Sequence, residues 1–152
     1  MMIWVDADSC PRIVRDVVVR AARRTGIPAI FVANRPLPGL GGGPVSFELC
    51  PKTDGAADDH IVLKAKPGDL VVTRDVPLAA RLVESGVIAV NDRGTVYTSE
   101  NIRERLSVRD LIVGLANDGI MTERSREYGN KELKAFADGF DRELRRLAKE
   151  PK

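Results

Sequence analysis

Histidine and cysteine are almost missing from this chain. Its 152 residues carry one histidine, His60, and two cysteines, Cys10 and Cys50. Two cysteines do not make a disulfide framework, and no His/Cys cluster suited to zinc is present. Aromatic residues make up 5%, which leaves few stacking platforms for single strands and argues against a pure nucleic-acid-binding module. A dominant charge is lacking too. The formal net charge of +2 is too small to demand a polyanionic partner. No apolar run approaches the ~20 residues that span a bilayer. No basic segment followed by a long apolar one opens the chain, so no signal peptide is evident. A cytoplasmic protein with no membrane partner is the expectation. There is no internal repeat.

What is present is ordinary globular composition, 43% hydrophobic and 30% charged, in a length that suits one domain over residues 1–152. Charge is unevenly spread: segment 12–24 holds Arg12, Arg15, Arg20, Arg23 and Arg24 against only Asp16. The pattern predicts a strand over 2–6, then a helix with Pro11 at its first turn and Val14, Val17, Val18 and Ala21 on one face. Gly26 ends that helix. A second strand, "AIFVA", covers 29–33. Residues 35–44, "RPLPGLGGGP", read as a linker or flap, not a phosphate loop, since no Gly-Lys-Ser/Thr or helix follows. A short strand over 45–49, a helix from about 56 to 65, and a third apolar strand over 69–73 come next. Pro77 opens a helix facing inward through Leu78, Leu82 and Val83, and "VIAV", 87–90, is a fourth apolar strand. A short helix is expected from Ser99, another over 107–117, and a long one over 130–149 whose Leu133, Phe136, Ala137, Phe140, Leu144 and Leu147 pack on the sheet. Continuous apolar strands alternating with amphipathic helices indicate a parallel sheet covered on both faces, an α/β domain.

The sites of such sheets lie beyond the carboxyl ends of the strands. Those ends carry Asp6 and Asp8, Asn34, Thr73 and Asp75, and Asn91 and Asp92. Asp58 and Asp59 open the helix that follows the glycine-rich loop. Ionised carboxylates crowded in one place repel, so one takes a proton or a cation joins them. Oxygen-only ligands suit a hard ion such as Mg2+, which can ionise a bound water and offset charge on a phosphoryl group. Taken singly, Asp58 and Asp59 are also ordinary at a helix start, and Asp75 reads equally as a helix cap.

Three other chemistries compete. Asp-x-Asp after a first strand also looks like haloacid-dehalogenase phosphatases, with Asp6 as nucleophile and Asp8 as acid/base. Cys10-Pro11 follows here instead of the expected Ser/Thr, and no lysine is well placed after "VIAV". A cysteine phosphatase needs Cys-x5-Arg, but Asp16 holds that position and Arg15 falls one short. Neighbouring acids would also keep Cys10 protonated, so it reads as a packed residue. His60 beside two aspartates reads as a surface residue sooner than as a general base.

"IWVDADSCP", "AADDHIV", "GDLVVTRDVPLAARLVESG", Val90-Asn91-Asp92-Arg93-Gly94 with "TVYTSENIRERL", and "VRDLIVGLANDGI" occur in this order over nearly the whole chain. Together they resemble the YaiI/YqxD family, which is grouped with the PIN-like domains. The resemblance implies a three-layer αβα PIN-like fold with extra C-terminal helices and an acidic site for Mg2+ or Mn2+. It implies Asp6, Asp58 and Asp75 as the catalytic acids and Asp8 and Asp59 as further metal supports, with Asn34, Thr73 and Asn91 lining the edge. Gly55 stands where the family pattern carries an aspartate, and Asp54 is one residue early. Arg12, Arg15, Arg74 and Arg93 are candidate phosphate contacts. A metal-dependent nuclease acting on RNA is the expectation. The alternatives are a catalytically inactive PIN-like domain that binds nucleic acid or protein, and an aspartate-based phosphatase.

Overall fold

The computed structural model describes residues 1–117 and 128–149. The last three positions of "VRDLIVGLANDGI" and the chain's final three residues lie outside them. Along the chain run β1 (Ile3–Asp6), α1 (Arg12–Thr25), β2 (Ala29–Ala33), β3 (Val45–Leu49), α2 (Ala56–Lys64), β4 (Leu70–Val72), α3 (Val76–Glu84), β5 (Ile88–Val90), α4 (Ile102–Asn117) and α5 (Asn130–Lys149). The five strands form one parallel sheet in the order β3-β2-β1-β4-β5. With helices on both faces, this is a three-layer α/β domain.

Alternation along the strands decides which helix meets which residue. Ile3 and Val5 of β1, with Phe31, Leu70 and Val72, face one side and join Val14 and Val18 of α1 and Phe136, Phe140 and Leu144 of α5. Trp4, Ile30, Val32 and Val71 face the other and join Ile61 of α2 and Leu78 and Leu82 of α3. The α5 stripe therefore packs on the sheet as its spacing predicts. Val83 of α3 packs on the cluster around Trp4 but is only partly buried, and Ala79 is buried beside it.

The segment after β5 differs from expectation. The two helices predicted over 99–117 are one, α4. No Gly or Pro interrupts residues 102–113, so nothing stops propagation there, and Ser107 lies inside the helix. Its start is marked by a reciprocal cap: Thr98 N–H donates to Asn101 Oδ1 and Asn101 N–H to Thr98 Oγ1. Among the described residues, no helix is long and apolar enough to cross a membrane.

Candidate functional site

In the observed order, β1 leads to β2 on one side and neighbours β4 on the other. The chain's direction of travel reverses between β1 and β4, which is where parallel α/β sheets open a crevice. Asp6 ends β1 on the face occupied by α2 and α3. The pairing that sets Ile3 opposite Leu70 and Val5 opposite Val72 brings Thr73 beside Asp6. Thr73 Oγ1 donates a 2.7 Å hydrogen bond to Asp6 Oδ2 and accepts one of 3.0 Å from Asp75 N–H. Asp75 in turn caps α3, its Oδ1 accepting from Leu78 N–H at 2.9 Å. Asp58 arrives from the first turn of α2.

Asp6, Asp8, Asn34, Asp58 and Asp75 all line one cavity of about 210 Å3. Four segments distant in the chain thus meet, as their strand-end positions predict. Burial pushes the carboxyl of Asp6 up, opposed by the hydroxyls of Thr73 and Ser9 and aided by Asp75 and Asp8. Burial, then the charges of Asp75 and Asp6, push Asp58 up to about 6. The charge of Asp75 thus acts on both Asp6 and Asp58.

The remaining predicted residues separate into those near this cavity and those elsewhere. Asp8 lies on the rim but is engaged: it accepts from Asn34 N–H at 2.8 Å and pairs with Arg35 at 3.5 Å. Asp59 is not in the lining; exposed, it pairs with Arg81 at 2.8 Å. Asn91 braces the turn after β5 by accepting from Arg93 and Thr95 N–H. It lines a second cavity with Arg74 and Arg93. Arg74 pairs there with buried Asp92 at 3.3 Å, and Arg93 pairs with Glu132 and lies over the Tyr128 ring. Arg12 is exposed on α1, and neither it nor Arg15 lines either cavity. Cys10 is buried, and burial pushes its thiol far up, so it is inert as a nucleophile. His60 is partly buried against Glu48, with its ring edge-on to Trp4.

Ser9 was not singled out in the sequence, yet it lines the cavity, and its hydroxyl donates to Asp6 O and accepts from Arg74 N–H. Asp69 was also missed. Its carboxylate takes Met2 N–H, Trp4 Nε1 and Lys66 N–H, tying the start of β1 to the start of β4. A lone tryptophan in the first strand was the available signal, because a buried indole N–H needs an acceptor.

Among the described residues, no three histidine, cysteine or acidic side chains stand close enough to form a ready cage for a metal ion. The oxygen-only lining fits a hydrated hard cation instead. Mg2+ keeps several waters and uses one or two carboxylates, and a positive guest relieves the repulsion that raises Asp58.

The model of the family described as "Uncharacterized BCR, YaiI/YqxD family" matches residues 4–146. A UPF0178 protein of Treponema pallidum is 48% identical over 97% of this chain and 83% of its own length. One from Myxococcus xanthus is 46% identical over 100% of both chains. One from Trichlorobacter lovleyi is 40% identical over 100% of this chain and 99% of its own. No solved structure matches.

Proposed function

This chain belongs to the YaiI/YqxD family, and from that premise we propose that it is a Mg2+- or Mn2+-dependent nuclease that hydrolyses phosphodiester bonds of RNA. The observation that carries the reading is the meeting of Asp6, Asp58 and Asp75 from three separate segments around one cavity. One or two carboxylates among Asp6, Asp58 and Asp75 would hold the ion directly and the rest through its waters. When bound, it would activate water and offset charge on the phosphoryl oxygens. Thr73 fixes the rotamer of Asp6 and, through the backbone of Asp75, the start of α3. The aspartyl-phosphatase alternative is less well supported, since Asp8, its would-be acid/base, is spent on Asn34 and Arg35.

The test is cleavage of a labelled, unstructured RNA with millimolar Mn2+. The parent cuts it, and Asp6→Asn loses at least about a hundredfold in rate while keeping its melting temperature. A parent that is inert and gains no thermal stability from Mn2+ leaves the non-catalytic alternative.

A further inference from the structure

The second cavity, about 620 Å3, lies between the ends of β4 and β5 and the length of α4. Asp75 lines the acidic cavity while its neighbours Arg74 and Val76 line this one, so one residue of chain separates them. Arg74 and Arg93 stand on its sheet side; Arg105 and Arg109 stand on α4. The helical positions 105, 108, 109 and 112 share one face. That face alternates cationic and apolar groups: Val108 is 50% and Ile112 37% exposed.

Four arginines against Asp92 and Glu104 leave the lining net positive. Arg74 pairs with buried Asp92 at 3.3 Å, Arg93 pairs with Glu132 at 3.6 Å and lies over the Tyr128 ring, and Arg109 pairs with its neighbour Asp110 at 3.1 Å. Arg105 lies over the Tyr97 ring, 5.6 Å from its centre. The Arg109 pair is exposed and contributes little to stability, so Arg109 can turn to a stronger anion at small cost; Arg74 and Arg93 offset the buried charge of Asp92 and would meet a phosphate from where they stand. A free phosphate would use the arginines and leave Val108 and Ile112 in water. A duplex hides the faces of its bases. A single strand offers both a phosphate row and exposed base faces.

We propose that this groove is the track for a single-stranded nucleic acid leaving the acidic cavity. Its phosphates lie on Arg74, Arg93, Arg105 and Arg109, and its bases lie against Val108 and Ile112. The direction of the strand rests on the nuclease reading, because the scissile bond would sit among Asp6, Asp58 and Asp75; binding in the groove does not.

The experiment follows fluorescence anisotropy of a labelled oligouridine with the full chain, without divalent metal, across a salt series. Arg105→Glu/Arg109→Glu is expected to bind at least about tenfold more weakly and to lose about 1.4 units of the log–log salt slope, about 0.7 for each phosphate contact. Arg109→Glu alone, at an exposed side chain outside the Tyr97 contact, shifts both in the same direction and guards against a folding defect, as do melting curves. With Mn2+, both variants hydrolyse bis(p-nitrophenyl) phosphate at the parent's rate, since that small diester needs only the acidic cavity. Arginine-dependent RNA binding by a parent that cleaves neither substrate sinks the nuclease reading and supports the track. Equal RNA affinity and salt slope in parent and variants overturns the track. So does a parent that binds a duplex or a polyglutamate peptide of equal length as tightly as oligouridine.

Discussion

Asp6 is 4% exposed, and its environment explains how a carboxylate tolerates that position. Burial disfavours its charge; the Thr73 hydroxyl partly restores it. The same hydroxyl oxygen is the acceptor for Asp75 N–H, so one side chain serves two acids. Thr73→Val keeps the shape but leaves Asp6 and the Asp75 amide without that partner. It is expected to destabilise the protein by about 1–3 kcal/mol and to push the Asp6 carboxyl higher. Denaturant titration measures the first, and Thr73→Ser should recover most of it. A Val variant as stable as the parent would mean that water replaces the hydroxyl at this spot.

At the scale of elements, the contact between α5 and the turn after β5 is unusually close. A Cβ on Gly139 would lie 2.5 Å from Gly94 O and 2.8 Å from its Cα; one on Gly94 would lie 2.2 Å from Ala135 O. Helix propensity alone favours Gly139→Ala by ~1 kcal/mol. Backbone does not yield as a flexible side chain does, so the clash decides the sign. The variant is expected to lose about 2 kcal/mol or more by thermal or urea melting; a gain would show that α5 slides freely on the turn. This closeness was not legible in the sequence. The stripe Phe136–Phe140–Leu144 shows which face of α5 is buried, but a glycine mid-helix reads only as a weak helix former until its neighbour across the interface is known. The splitting of α4 failed for a related reason. Ser107 is a cap by residue type alone, and whether it starts a helix depends on whether the chain before it is already helical.

For the whole molecule, the strand ends were readable because a parallel sheet sends every βα turn to one edge. Asp6 follows from that rule together with alternation, and Asp58 and Asp75 from their places where the βα turns open α2 and α3. Asn91 reaches that edge as well but lines a different cavity with Arg74 and Arg93, because the rule names the edge without dividing it into separate cavities. Crowding at that edge has a consequence for stability. With its pKa at about 6, Asp58 binds its proton more tightly in the folded state than in the unfolded one. The folded state therefore holds more protons between the ordinary carboxylate value and about 6, and stability falls as pH rises through that window. In metal-free buffer, Asp58→Asn should be more stable than the parent near neutral pH. Solvent at this half-buried group limits the gain to about 1 kcal/mol, or about 2–4 °C. The gain should vanish toward about pH 4, where the parent carboxyl is protonated too. Melting curves at the two pH values decide it, and a gain that is the same at both would point to packing rather than ionisation.

β1 has four residues and lies mid-sheet, with β2 and β3 on one flank and β4 and β5 on the other. Nothing else in the sheet joins those flanks. β1 completes its pairing only with residues 70–72, and the clamp from Asp69 to Met2 and Trp4 joins the same two strands. A fragment that ends before residue 70 therefore has neither the intact sheet nor the Asp75 wall of the cleft.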